Sequence, residues 1–221
     1  MHKPLISIII TSKNEEDVIG DLINSINKQT FKNIETILID NNSQDRTVAI
    51  AKKAKIKVYT FGPERSAQRN YGFSKSKGNY VFFLDADMRL EPTVTEECLH
   101  EISDKNIGAI IIPEESFGEG YLNKVKAFER SFYNESGDNT TDAARFFDRK
   151  VFAKSGGYDE NITGPEDWDL PETIKQMGYK IGRIESKIYH KERISSVFTL
   201  ARKKFYYGLK TQYYLKKQNI S

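Results

Sequence analysis

The chain encodes an α/β domain with a mostly parallel central sheet and helices on both faces. Short apolar runs alternate with helix-period segments through its first half, the pattern of strand–helix–strand units. The runs are continuous Ile, Val, Leu and Phe rather than alternating apolar and polar residues, so their strands are expected to be covered on both faces. Each ends in a short polar tip, and in open parallel sheets ligands bind at the carboxyl ends of strands.

Residues 5–10 read as the first strand. Asn14 is placed to cap a helix carrying Glu15, Glu16 and Asp17 in its first turn, where the helix dipole favours acids. Residues 34–39 form the next strand and 47–54 the next helix. Residues 56–60, 80–84 and 107–112 follow as strands, with helical stretches between them, one opened by Pro92 at a first helical position. The second half is less regular. Residues 121–135 read as a helix, and 143–147, 180–184 and 187–189 as short strands. Gly156-Gly157 and Gly164-Pro165 mark turns. Pro171 requires a helix there to begin near Leu170 or to bend.

At 221 residues the chain holds one domain with an appendage, residues 1–195 and 196–221. A 38% hydrophobic fraction supports a single core. A net charge of +3 is too weak to imply a nucleic-acid partner, and the surplus sits at the C-terminus. Cys98 is the only cysteine, so no intrachain disulfide is available and nothing argues for an oxidising compartment. Residues 5–10 are too short for a signal-peptide core, and no stretch reaches the roughly 18 apolar residues of a membrane span. A cytoplasmic location is expected, with a natural short protein and an excised domain both open. The triplet Asn139-Thr140-Thr141 is read as a chance glycosylation match.

The chemistry concentrates in two acidic pairs. Asp85 and Asp87 close the apolar run Tyr80-Val81-Phe82-Phe83-Leu84. Residues two apart on a strand point the same way, so both carboxylates are expected in the cleft at its carboxyl edge. Carboxylate oxygens suit Mg²⁺ or Mn²⁺ shared with substrate phosphates; the plainer reading is a solvated turn. Glu166-Asp167 is placed for acid or base work, or is simply the acidic first turn of a helix. Thr11, Asn14 and Glu15 after the first strand, and Asp40 and Asn41 after the second, extend the cleft into a floor for a nucleotide. Asp40 or Asn41 offers an acceptor to a base N–H.

These motifs occur in an ordered set: Ser7-Ile8-Ile9-Ile10-Thr11, Asn14-Glu15, Asp40-Asn41-Asn42-Ser43 with Asp45 and Thr47, Ser66-Ala67-Gln68-Arg69-Asn70-Tyr71-Gly72, Leu84-Asp85-Ala86-Asp87, Gly156-Gly157-Tyr158-Asp159-Glu160 and Gly164-Pro165-Glu166-Asp167-Trp168-Asp169-Leu170. In that order and spacing the chain resembles a family 2 glycosyltransferase of GT-A fold over roughly residues 4 to 195. The resemblance implies an inverting transfer from a nucleotide-diphosphate sugar, UDP- or GDP-linked, assisted by Mn²⁺ or Mg²⁺. It implies that Thr11, Asn14, Glu15, Asp40, Asn41, Arg69 and Asp85 surround the nucleotide, that Asp87 binds the metal and that Asp167 is the general base. Many members have Asp-Asp-Gly-Ser where this chain has Asp40-Asn41-Asn42-Ser43, a departure that leaves open which residue reads the base. A histidine in the region of His190 serves some metal-using members; a structural histidine is the alternative. His2 and His100 have no such context. Glu166, Trp168 and Gly157 are expected around the sugar or acceptor, although Trp168 equally suits a core. Arg145 and Phe146 fall where acceptor-side residues would lie.

From Val197 to Lys217 no acidic residue interrupts a mixture of Lys, Arg, Tyr and Phe. That composition fits an interfacial helix meeting a membrane, which would favour a polyprenyl-phosphate or lipid-linked acceptor, and equally a helix packed on the domain with a basic outer face. Two rival activities fit the motifs less well. A nucleotidyltransferase would need a Gly-rich phosphate loop after the first strand, and Thr11-Ser12-Lys13-Asn14-Glu15 is not one. A catalytically silent nucleotide-sugar-binding module would not need the acidic motifs intact.

Overall fold

The computed structural model describes residues 3–134, 143–162 and 164–217. His2, residue 135 and Asn139-Thr140-Thr141 lie outside them. The strands are β1 (Ile6–Ser12), β2 (Ile34–Asp40), β3 (Lys57–Thr60), β4 (Tyr80–Asp85), β5 (Met88–Leu90), β6 (Ile107–Ile111), β7 (Glu114–Phe117), β8 (Ala144–Asp148), β9 (Lys180–Arg183) and β10 (Ile188–Lys191). The helices are α1 (Ile19–Asn27), α2 (Thr47–Lys53), α3 (Arg65–Lys75), α4 (Val94–Glu101), α5 (Tyr121–Asn134), α6 (Arg149–Ser155), α7 (Glu166–Gln176) and α8 (Val197–Lys217).

Seven strands form the main sheet in the order β3-β2-β1-β4-β8-β6-β9. Pairing is parallel except around β8, which runs antiparallel to both β4 and β6. Every residue of β1 is buried, Ser7 included, as in a strand covered on both faces. Its alternate residues serve two cores. Ile8 and Ile10 join Leu22, Ile26, Phe82 and Leu84 on one face, while Ile9 joins Ile39, Phe83, Phe147 and Phe152 on the other. Register then brings the polar tips together. Thr11 stands opposite Asp85, and Ser12 opposite Asp40.

A three-stranded sheet, β5-β10-β7, lies beyond the end of β4. Its strands β5 and β7 have no apolar run to announce them and are held by pairing to β10, with His190 opposite Met88 on one side and Ser116 on the other. Among the described residues no helix is long and apolar enough to cross a membrane.

Three local expectations are corrected. Asn14 does not cap α1, which starts at Ile19 behind an N-cap without a side-chain bond. Instead Asn14 adopts a left-handed φ of 56°. Its N–H donates to Ser43 Oγ at 2.8 Å and its Oδ1 accepts from Gln44 N at 2.8 Å. The next two amides, of Glu15 and Glu16, donate to Thr47 Oγ1 and Asp45 Oδ2, so the β1–α1 loop is stitched across to the β2–α2 loop before a helix can start. Pro92 does not open α4 either. It precedes the N-cap Thr93, and its carbonyl accepts from Thr30 N at 2.9 Å. Pro171 lies inside α7, which begins at Glu166 rather than near Leu170. The bond forfeited is the one a residue there would donate to the Asp167 carbonyl.

Helix α3 lies directly on the sheet because Gly72 has no side chain. A Cβ there would sit 2.4 Å from Ile9 Cγ2 and 3.0 Å from Ile39 Cγ1, both on buried β-branched side chains that have little room to turn. At an open helical site Gly→Ala stabilises by about 1 kcal/mol. Here overpacking reverses the sign, and Gly72→Ala is expected to destabilise by about 1–3 kcal/mol. Urea unfolding checks this as a lower midpoint with unchanged slope.

Candidate active site

The carboxyl ends of β1, β2 and β4, together with α3, α7 and α8, enclose an open cavity of about 520 Å³. Of the residues expected around a nucleotide, Thr11, Glu15, Asn41 and Asp85 line it, with Asp87, Glu166, Asp167 and His190. Asp40 does not. It is 2% exposed, and its carboxylate accepts from Ser12 Oγ at 2.8 Å, Ser43 Oγ at 2.6 Å and Ser43 N at 2.8 Å. The expectation that Asp40 faces a base is therefore corrected: its acceptors are spent bracing the turn that presents Asn41. Asn14, committed to its loop, also lies off the cavity wall.

The floor is an arginine–carboxylate cluster. Arg69, wholly buried on α3, reaches Asp167 Oδ1 on α7 at 2.7 Å and Asp85 Oδ1 on β4 at 3.4 Å. Its guanidinium stacks 4.9 Å from the Tyr158 ring centroid, and its Nε is buried with no hydrogen bond. Asp85 also accepts from Thr11 Oγ1 at 3.1 Å and has Arg65 and Arg145 each 3.8 Å away. Burial alone would raise its pKa. The guanidiniums of Arg65, Arg69 and Arg145 overcome that and hold Asp85 well below the usual carboxylate range. Beside it, burial and the neighbouring Asp167 push Glu166 up. Gly164 N donates to Glu166 Oε2, and Arg65 lies 3.9 Å from its other oxygen.

The opposite wall is set by the small sheet. Asp87 occupies the turn between β4 and β5, two residues past the strand end, so it does not share a strand face with Asp85. The Lys191 amide donates to the Asp87 carbonyl at 3.0 Å, fixing β10 against this turn. His190 Nε2 then lies 3.3 Å from Asp87 Oδ1, an oxygen buried without a hydrogen bond. A hard carboxylate oxygen left unbonded beside an imidazole nitrogen is a donor pair that fits Mg²⁺ or Mn²⁺ completed by phosphate oxygens. Among the described residues no cluster of three or more His, Cys, Asp or Glu side chains is arranged to hold a metal alone. Arg193 pairs with Glu15 and lies 3.6 Å from Asp87 Oδ2. Burial outweighs Arg193 at Glu15 and lifts its pKa to about 7.

His190 has two mutually exclusive partners at Nδ1. Arg130 Nη1 is 2.7 Å away, which suits a neutral ring that accepts, while Glu114 Oε2 at 3.5 Å suits an imidazolium that donates. Burial favours the neutral ring; Asp87 and Glu114 prevail and raise the pKa to about 9.

Other expected residues lie elsewhere. Phe146 is a core residue, 0% exposed. Trp168 is 42% exposed, so it is not a core residue, and it does not line the cavity. Gly157 also lies off the cavity. With φ of 77° it lets Asn70 approach, since a Cβ would meet Asn70 Oδ1 at 2.6 Å. Arg145 is buried against Glu114 and Asp85. Sequence reasoning missed Arg65, Arg130, Glu114 and the pair Tyr206-Tyr207. Arg65 sits one turn before Arg69 on α3, a spacing that places both on one helix face and was legible. The tyrosines come from α8, which docks on the domain: Tyr206 OH donates to Glu64 at 3.0 Å, and Lys217 binds Asp169 at 2.8 Å and Asp159 at 3.0 Å.

The fold is of the GT-A type. S. aureus TarS 1–349 in complex with UDP-GlcNAc superposes with a TM-score of 0.69 at 19% identity, over 88% of this chain and 60% of that one. The mannosyltransferase PcManGT from Pyrobaculum calidifontis, in complex with GDP-Man and Mn²⁺, gives 0.69 at 17% identity, over 86% and 57%. A family profile described as Glycosyl transferase family 2 matches residues 7–157, and the chain belongs to that family. An uncharacterized glycosyltransferase of Rickettsia typhi is 26% identical over 184 residues, 76% of this chain and 58% of the relative. The minor teichoic acid biosynthesis protein GgaB of Bacillus subtilis is 30% identical over 201 residues, 83% of this chain and 22% of the relative. This chain thus spans less than two thirds of the length of these relatives.

The raised pKa of His190 predicts how metal-free stability responds to pH. A folded value of about 9 against 6.5 unfolded contributes stability that is complete below pH 6.5 and is lost as pH rises through about 9. The full effect is about 3 kcal/mol. Denaturant titrations of metal-free protein at pH 6 to 10 should show that decline, and His190→Gln should flatten it.

Proposed function

We propose that this chain is an inverting glycosyltransferase that moves a sugar from a nucleotide-diphosphate sugar to an acceptor hydroxyl or phosphate. The observation that carries the reading is that Asp87–His190 and Asp167 face one cavity from different walls. Single-displacement inversion needs that division: the leaving diphosphate on one side of the anomeric carbon and the proton acceptor on the other.

Asp167 is the general base. Arg69 takes its Oδ1 at 2.7 Å, which orients the carboxylate and leaves Oδ2 to accept the acceptor's proton. A positioned base of this kind contributes about 10²–10⁴-fold. Asp87 and His190 would hold Mg²⁺ or Mn²⁺, which when bound supplies Lewis-acid charge to the leaving diphosphate. Asn41 and Thr11 contact the nucleoside, and the Glu15–Arg193 pair lies at the diphosphate end. Binding of UDP-GlcNAc by TarS and of GDP-Man with Mn²⁺ by PcManGT supports a nucleotide-sugar donor. A phosphate-bearing acceptor, lipid-linked or free, fits the guanidinium of Arg65, which lies beside Glu166 on the Asp167 side of the cavity.

Calorimetry with UDP and GDP, with and without Mn²⁺, tests the donor side. Metal-dependent binding of one diphosphate is expected, and failure of both on folded protein would overturn the reading. Asp167→Asn should lower transfer by about 10²–10⁴-fold while nucleotide binding stays within about twofold. Asp87→Ala should weaken diphosphate binding only when Mn²⁺ is present. A fully active Asp167→Asn enzyme would remove Asp167 as the base.

A further inference from the structure

Helix α5 is amphipathic in the inverted sense. Tyr121, Val125, Phe128 and Phe132 recur at spacings of four, three and four residues, so they form one narrow stripe. That stripe faces outward, with exposures of 81%, 48%, 66% and 63%. The helix turns polar residues toward the protein instead. Asn123 accepts from Ile194 N at 2.6 Å, and Arg130 reaches Glu192 at 3.1 Å and His190 at 2.7 Å. A helix that spends its polar face on its own domain and offers its apolar face outward is built to be covered.

Helix α8 comes within side-chain reach of α5. Lys204 reaches Glu129 of α5 at 3.8 Å. It adds exposed Val197 at 64%, Phe198 at 80% and Phe205 at 68%. The sequence of α8 carries Arg202, Lys203, Lys204, Lys210, Lys216 and Lys217 and no acid. A second copy seated on this face would bring like charge against like. A layer that is apolar within and anionic at its surface complements both features.

We infer that the α5–α8 face docks on the surface of a bilayer containing anionic lipid. The Tyr121–Phe132 stripe, about 17 Å long at 1.5 Å per residue, enters the headgroup boundary, while the exposed Arg202 and Lys204 of α8 meet lipid phosphates. The same two helices form part of the cavity rim through Arg130, Tyr206 and Tyr207. Docking therefore brings the site next to the headgroup layer. Under the function proposed above, a lipid-anchored acceptor would reach the cavity mouth without leaving the membrane.

Flotation of the intact chain with phosphatidylcholine vesicles, with and without phosphatidylglycerol, tests this. Binding is expected to the anionic vesicles, about tenfold over the neutral ones and falling with salt. Val125→Ser with Phe128→Ser should lower it about tenfold. Phe128→Trp, a conservative change on an exposed face, should show a blue-shifted emission on anionic vesicles. Absence of wild-type binding, equal binding by the double serine variant, or no shift from Phe128→Trp would overturn the inference. So would a dimer in light scattering that the serine variant dissolves, since a second copy would then be the occupant. Diphosphate binding measured without lipid keeps failure here separate from failure of the proposed function.

Discussion

The site depends on one buried cation. Arg69 is enclosed by α3 yet touches Asp85 at the end of β4 and Asp167 on the first turn of α7. These carboxylates come from elements far apart in sequence, and two acids side by side in a buried wall would repel one another. The guanidinium makes their proximity tenable. Tyr158 provides a π face for it, and Gly157, with no Cβ, lets Asn70 hold the Tyr158 amide at 3.0 Å. The glycine turn therefore serves the arginine rather than a sugar directly. Breaking such a cluster by removing one partner leaves uncompensated buried charge, which is why Arg69 is as much a structural residue as a functional one.

The opposite wall works by a different device. Asp87 leaves the strand and sits in a turn, and a three-residue strand then carries the chain into the small sheet. Strand β10 enters that sheet from the other end of the chain and brings His190 to Asp87. Backbone pairing thus sets the distance between the two groups, while Glu114 and Arg130 compete for the far side of the imidazole. The ring's charge is set by carboxylates, so a divalent cation arriving at Asp87 would compete with a proton for the same imidazole.

Much of this was legible in the chain. Apolar runs identified β1, β4 and β6 of the main sheet, because strands covered on both faces leave little polar alternation. The acidic end of β4 was visible because charged residues directly beside an apolar run are out of place unless they are used, whereas the Glu166-Asp167 step stood out through its place in the ordered motif set. What was not legible depended on partners distant in sequence. Asn14 looked like a helix cap, but the β2–α2 loop captured it. Asp40 looked like a nucleotide contact, but Ser12 and Ser43 consumed its acceptors. Strands β5 and β7 are too short and too polar to be seen without β10.

Helix α5 shows the limit most clearly. Its apolar period was plain, and period alone says that a face will be buried without saying by what. Read locally, Tyr121, Val125, Phe128 and Phe132 belong in a core. The fold sends them outward because the other face carries Asn123 and Arg130, which have specific partners in the site: an amide of the segment following β10, and the carboxylate and imidazole of Glu192 and His190. Those polar contacts are directional and cannot be met from the reverse orientation, whereas an apolar stripe accepts any apolar cover. The site's demand for a guanidinium at His190 therefore fixes the rotation of α5, and the exposed stripe follows from it. A binding surface here arises from the same residues that build the catalytic cavity, which couples where the protein sits to what it can reach.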